Sequence, residues 1–321
     1  MYGEMMEAEI RQQPEILARG AAEYYKSIRE ALAEREFDMV LLAARGSSDN
    51  AALYARYLIE IFVGIPAVLA APSVITRYHR RVRYSRCLAI GISQSGAAPD
   101  VAEVISALRE DGHATIGITN TAGSLLTKEA EHSILLGAGQ EQSVAATKTY
   151  SASLLALHEI VRAISPSSGG TSLVDPVSLL PDNDWVEVAR HAAKVSSGPV
   201  VRCVPTFSLG RGFGFSTCQE TALKLMECAL IPCKAYSSAD FEHGPKALAG
   251  PGSAAISFDG PMPDLAAQGC AIVEAPIATV PEPLRPIWEV IFGQWLALRA
   301  ARARGLDPDK PQYIRKVTET L

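Results

Sequence analysis

The sequence predicts an α/β protein made of two doubly wound parallel sheets in tandem, the second shorter than the first. Three observations predict it. Short apolar runs alternate with amphipathic stretches; hydroxyl-rich corners containing glycine follow two of those runs; and the pattern restarts after a Ser-, Gly- and Pro-rich segment.

The opening stretch MYGEMMEAEIRQQPEIL is amphipathic and mixed in charge, which fits an N-terminal helix and does not read as a secretory signal. FDMVLLAA (37–44) reads as a strand before a helix over 49–62, and PAVLA (66–70) is the next strand. RCLAIGIS (86–93) precedes a helix over 99–111, and ATIGITN (114–120) and HSILLGAG (132–139) continue the alternation. A long helix over about 144–164 closes this half. Apolar strands of this length with helices between them indicate a parallel sheet covered on both faces. SPSSGGTSLVDP (165–176) is the best linker candidate. The expected division is therefore a first domain over 1–165, a linker over 166–178, a second domain over 179–304 and a tail over 305–321. In the second domain PVVRCVPTFSLGRG (199–212) reads as strand then glycine turn, leading into a helix over 215–230. Between Pro251 and Pro281 there is little room for a full strand-helix-strand set.

A chain of 321 residues with 48% hydrophobic content is large enough for two such domains. Its net charge of −5 argues against a nucleic-acid binder, and the basic run RYHRRVRYSR (77–86) reads as a solvated connection. The cysteines at 87, 203, 218, 228, 233 and 270 form no CxxC pair, so no metal site is expected. The apolar region 57–75 is broken by Glu60, Pro66 and Pro72 and does not read as a membrane span. A reduced, cytoplasmic enzyme or binding protein is the expected class.

Ligands of open parallel sheets sit beyond the carboxyl ends of the strands. Two corners there are ARGSSDN (44–50) and ISQSGAAPD (92–100). Each precedes a helix amino-terminus, whose free N–H groups and dipole favour an anion. Ser47, Ser48, Ser93 and Ser95 add hydroxyls and Gln94 an amide. Taken as turns without lysine or arginine, the pair suggests a phosphate held by dipoles and hydroxyls; the alternative is that the serines only cap helices. Neither corner has the P-loop pattern, and GRGFGF (210–215) lacks the third glycine of a dinucleotide fingerprint, so no cofactor is expected.

In CQETALKLMECALI (218–231), Glu220, Lys224 and Glu227 fall at i, i+4 and i+7 on an otherwise apolar helix. Such a narrow charged stripe suits a cavity or subunit seam, where burial and Lys224 could tune a carboxylate for proton transfer. An ordinary surface ion pair is the alternative. His243, in the turn of FEHGPKAL (241–248), is the histidine best placed to move protons. Lys316, by its position near the terminus, reads as a solvated charge.

With these residues assembled, the sequence resembles the SIS (sugar isomerase) family of phosphosugar-binding domains in tandem. It is similar to the isomerase half of glutamine–fructose-6-phosphate transaminases, and more so to the second type of glucosamine-6-phosphate deaminase. The likeness is carried by 44–60, ISQSGAAPD, QSVAATKTY (142–150), 209–229, EHGPKAL (242–248) and DKPQYIRK (309–316). The resemblance implies that Ser48, Ser93, Gln94 and Ser95 hold the sugar phosphate, with Ser47 and Glu220 as further substrate contacts. It implies that Glu227 moves a proton between C1 and C2 beside Lys224. It makes His243 the ring-opening residue, supplied across a homodimer, and gives Lys316 an imine with an open-chain ketose. Ala98 stands where the transaminase has a phosphate-binding threonine, and Ala146 where it has a serine; the SVAAT stretch favours the deaminases. The stretch before residue 37 does not read as a cysteine-led glutaminase domain, so none is expected to supply ammonia. The expected activity is conversion of glucosamine 6-phosphate to fructose 6-phosphate and ammonia, without metal or redox cofactor. A fructosamine-6-phosphate deglycase, another ketose–aldose isomerase, or a non-catalytic sensor are the alternatives.

Overall fold

The computed structural model describes residues 2–32, 35–165 and 173–316. Residues 166–172 of the expected linker and 317–321 of the tail lie outside the described residues. The chain forms two compact units. One, the first-sheet unit, holds Glu15–Gln140 and the described part of Thr149–Ser178. The other, the second-sheet unit, holds Leu179–Lys316 together with the chain up to Pro14 and the segment Glu141–Lys148. The continuous division expected from sequence thus differs at two short segments, which fold with the second sheet.

In the first-sheet unit, β1 (Met39–Ala43), β2 (Ala67–Leu69), β3 (Cys87–Ile92), β4 (Ala114–Thr119) and β5 (His132–Leu135) form a parallel sheet in the order β2-β1-β3-β4-β5. Every residue of β3 is buried, as a central strand covered on both faces requires. The chain winds from β1 out to β2 on one side and from β3 out to β4 and β5 on the other. The order therefore reverses between β1 and β3, and both hydroxyl-rich corners lie at that switch point, where such sheets leave a crevice. Leu41 and Ala89 of the sheet pack against Val101, Val104, Ile105 and Leu108 of the helix Pro99–Glu110. The basic run 77–86 contains no strand, and its Arg81 and Arg86 pair with Glu110, Asp111, Glu36 and Asp38.

In the second-sheet unit, β6 (Thr206–Gly210), β7 (Cys233–Ser237), β8 (Ala254–Ser257) and β9 (Ala271–Glu274) form a parallel sheet in the order β7-β6-β8-β9. The second sheet has four strands against five, so it is shortened as expected. A strand-helix-strand set nevertheless fits between Pro251 and Pro281, contrary to the sequence reading. It fits because the crossover helix Pro263–Ala267 has only five residues and the strands beside it four each. The strand read from 199 is also corrected: Asn183–Arg202 is one helix, and the strand begins at Thr206. Val186, Ala189, Ala193 and Val200 recur at helical spacing on its buried face, and that pattern overrides the local run of valines. The helix expected from 144 begins at Lys148, leaving 141–147 as a loop.

The helix Arg285–Ala303 lies against the helix Gly214–Ala229. Gly293 permits their approach: a Cβ there would stand 2.2 Å from Thr221 Oγ1. Among the described residues, no helix is long and apolar enough to cross a membrane.

Candidate active site

Both serine-rich corners stand at the switch point of the first-sheet unit, after β1 and β3. Gly46, with φ 58°, precedes the helix Ser47–Leu58, and Ser48 N–H is turned back to the Arg45 carbonyl at 3.1 Å. At the second corner the loop closes on its own serines. Gly96 N–H donates to Ser93 Oγ at 3.1 Å and Ala97 N–H to Ser95 Oγ at 3.2 Å. Gly96 has φ 64°, and a Cβ there would meet Ser124 Oγ at 2.1 Å, so only glycine fits. The Gln94 carbonyl is held by Asn120 N–H at 3.0 Å and by Thr119 Oγ1 at 3.2 Å. The serines therefore do cap the turn, but a hydroxyl oxygen that accepts still has its proton to donate. Ser93 is buried, while Ser47, Ser48, Gln94 and Ser95 are half-buried. Two helix amino-termini and these hydroxyls can hold an oxyanion. One correction applies: the first corner does carry a cation, Arg45, whose Nε donates to Asp100 Oδ2 at 2.6 Å. Asp100 is itself buried in the first turn of the helix Pro99–Glu110.

The equivalent corner of the second sheet is closed by the protein itself. The switch there falls between β6 and β8, and Asp259 follows β8. Its carboxylate accepts from Arg211 N–H at 3.1 Å and from Ser238 Oγ at 2.5 Å. A carboxylate in that position repels a second anion.

On the helix Gly214–Ala229, the predicted charged stripe is a packed triad. Lys224 Nζ lies 2.5 Å from Glu227 Oε2 and 3.4 Å from Glu220 Oε1. Lys224 and Glu220 are 1% and 0% exposed, and Glu227 26%. This is not a surface ion pair. Burial alone would pull the Lys224 ammonium down, but the charges of Glu220 and Glu227 outweigh it and hold its pKa above the usual range. Glu220 has no exposed surface and lies within ion-pair distance of Lys224. Glu227 lines a cavity of about 200 Å³ together with Tyr2, Cys228 and the tail residues Asp307 and Lys310. Burial pushes the Cys228 thiol up to about 12.

His243 is exposed, with its N–H on the Asp240 carbonyl, and does not line the Glu227 cavity. Lys316 is held rather than free: its ammonium donates to Glu141 Oε2 and to the Ser143 carbonyl, both at 2.7 Å. Glu141 is buried and also accepts from Thr147 N–H at 3.0 Å. Glu9, likewise buried, accepts from the N–H groups of Gln142 and Ser143. Burial and the nearby Glu141 raise the Glu9 carboxyl to about 7, against the lowering effect of those N–H donors and of Lys148. Sequence reasoning missed Glu9, Glu141 and Arg45. Each had a signal: Arg45 stands in the ARGSSDN corner itself, Glu9 lies with Met6 and Ile10 on the buried face of their helix, and Glu141 immediately precedes the QSVAATKTY stretch. Ala98 occupies the N-cap of the helix Pro99–Glu110 without a side-chain cap, and Ala146 is half-buried in the loop beside Thr147. Among the described residues, no group of three or more His, Cys, Asp or Glu side chains converges as a metal site.

Comparison with known proteins agrees with this architecture. Residues 35–163 match the SIS domain model. The glutamine–fructose-6-phosphate aminotransferase (isomerizing) of Methanothermobacter thermautotrophicus is 29% identical over 98% of the chain, which spans 57% of that relative's length. Among solved structures, the glucosamine-6-phosphate deaminase of Thermotoga maritima superposes with a TM-score of 0.82 at 24% identity, covering 98% of this chain and 100% of that one. The tagatose-6-phosphate ketose/aldose isomerase of Escherichia coli gives 0.74 at 18% identity, covering 97% and 96%. These two show a shared fold.

Proposed function

We propose, with the SIS domain over residues 35–163 as premise, that this chain is a phosphosugar isomerase that releases ammonia from glucosamine 6-phosphate. The observation that carries the reading is the buried Lys224 between two carboxylates, of which Glu227 alone is partly exposed and faces a cavity. A carboxylate fixed in this way is poised to move a proton, and its neighbouring ammonium compensates charge as the proton leaves and returns. The Ser93–Gln94–Ser95 corner, with Ser47 and Ser48, is assigned the phosphate. Binding energy from that remote group can be used to orient the reacting carbons.

In this reading His243 assists ring opening, and its exposure is compatible with action across a homodimer. Glu227 then removes the proton from C2 of the open-chain amino aldose and returns it to C1. The product is a C2 imine; water adds to C2, the C–N bond breaks, and fructose 6-phosphate and ammonia leave. While the open-chain ketose is bound, Lys316, after giving up one proton, for which the Glu141 carboxylate at 2.7 Å is an acceptor within reach, adds to the ketose carbonyl and forms an imine with loss of water; hydrolysis of that imine returns the lysine and the ketose. The chemistry as written calls for no metal or redox cofactor.

The test is an ammonia-release assay over hexosamine and fructosamine phosphates, run with Glu227→Gln alongside. Wild-type release from glucosamine 6-phosphate, abolished in the variant together with C2 proton exchange, supports the reading. Proton exchange without ammonia would instead favour a ketose–aldose isomerase, for which the same base suffices. Exchange undiminished in Glu227→Gln removes that residue as the base.

A further inference from the structure

The helix Glu4–Arg11 touches three parts of the second-sheet unit to which chemistry has been assigned. At its amino end the tail is tied down. Asp309 accepts from the N–H groups of Met5 at 2.8 Å and Met6 at 2.9 Å, and Asp307 accepts from Gly3 N–H at 2.9 Å. These first-turn donors have no partner inside the helix, and a carboxylate is favoured at its positive end. Arg302 reinforces the junction through the Tyr2 carbonyl and Glu7, both at 2.7 Å. Further along, Glu9 holds the backbone N–H groups of Gln142 and Ser143, and the carbonyl of that same Ser143 accepts from Lys316. Between these points Met6 Sδ lies 3.9 Å from Cys228 Sγ, the residue next to Glu227.

Lys316 therefore reaches its seat from two directions. The tail that carries it is anchored seven residues earlier, at Asp309, and the loop that receives it is held by Glu9. Between Asp309 and Lys316 there is neither helix nor strand, so no regular backbone ladder positions the lysine. We propose that the helix Glu4–Arg11 is a brace that places the Lys316 ammonium, with Asp309 and Glu9 as its positioning residues. The proposal rests on the imine role given to Lys316 above. Glu9 faces Glu141 and Lys148 as well as the loop, so its charge state also bears on how firmly the loop is held.

The experiment uses the full chain, wild type and as Asp309→Ala, Asp309→Asn and Glu9→Ala. Each is treated with fructose 6-phosphate and borohydride. The lysine amine condenses with the C2 carbonyl with loss of water, borohydride delivers hydride to C2 of the imine, and the secondary amine is quantified on the Lys316 peptide by mass. Hydrogen exchange of the 306–316 and 141–147 amides is measured in parallel. Asp309→Ala and Glu9→Ala, which remove the acceptors, are expected to cut the adduct about tenfold, the size of one lost charge-assisted hydrogen bond. Exchange should quicken in the tail for the first and in the loop for the second. Asp309→Asn keeps an acceptor for the helix N–H groups and should restore most of the adduct; it also carries the comparison if Asp309→Ala does not fold. Unchanged adduct, or lost adduct with unchanged exchange, overturns the brace. A wild type that forms no adduct, with quickened exchange in the variants, removes the imine role of Lys316 and leaves the anchoring in place.

Discussion

Replacing Lys224 by Met keeps an unbranched side chain, one atom shorter, and removes its charge, which tests the electrostatic part of the triad. In the wild type the ammonium is 1% exposed and lies between Glu220, 0% exposed, and Glu227, 26% exposed. Glu227 can turn towards water when the cation is gone; Glu220 cannot. Removing one partner of a buried pair costs about 3–5 kcal/mol because the other charge is stranded. With Glu227 partly relieved, a loss of about 3 kcal/mol is expected, a drop of roughly 6–12 °C in the unfolding temperature of a domain this size. The pH dependence has a definite sign. Fully buried and without that cation beside it, Glu220 acquires a folded pKa above its unfolded value of about 4.3. The folded variant then binds a proton that the unfolded chain has released, so stability falls as pH rises from about 4.3 through the raised value. Thermal unfolding should show a smaller deficit at pH 5 than at pH 8, and adding Glu220→Gln should recover much of it. A deficit below about 1 kcal/mol, equal at both pH values and indifferent to Glu220→Gln, would mean that the triad behaves as an exposed ion pair and that its burial does not govern its energetics.

Three further perturbations bear on the fold and the corner. Ser95→Ala should weaken binding of a phosphorylated sugar by about ten- to a hundredfold, the loss of one hydrogen bond to a charged group, while barely changing its dephosphorylated counterpart; titration calorimetry showing equal weakening of both would take the phosphate away from this corner. Gly96→Ala forces a Cβ within 2.1 Å of Ser124 Oγ at φ 64°, and thermal melts should report a loss of about 2–4 kcal/mol, against which a change under about 0.5 kcal/mol would show that the turn yields. Glu289 is 3% exposed with Oε1 lacking a hydrogen-bond partner, and burial raises its carboxyl to about 8. Its folded pKa exceeds the unfolded one, so wild-type stability falls as pH rises from about 4.3 towards 8. Glu289→Gln should therefore be more stable than wild type by about 1–3 kcal/mol at pH 9 and nearly equal at pH 5, and a difference independent of pH would contradict this.

The alternation of elements was legible because a central strand such as β3 is buried along its whole length and must be an unbroken apolar run. The triad was legible for the converse reason: three charges at helical spacing in an apolar segment have no reason to be there unless they meet one another. The helix over 199–202 was misread because a short run of valines satisfies a strand and a buried helix face alike, and only the spacing back to Val186 separates them. The five-residue helix between β8 and β9 was missed because it is too short to show a period.

Periodicity and composition therefore determined the two α/β sheets, the shortened second one, the hydroxyl-rich corners and the charged stripe, since each is a property of neighbours along the chain. Tertiary structure alone decided that Asp309 caps the first helix from 303 residues away, that Glu9 holds a loop 133 residues on, and that Asp259 closes the second corner. Such partners are selected by where packing brings the chain back upon itself, and a local pattern carries no information about that return.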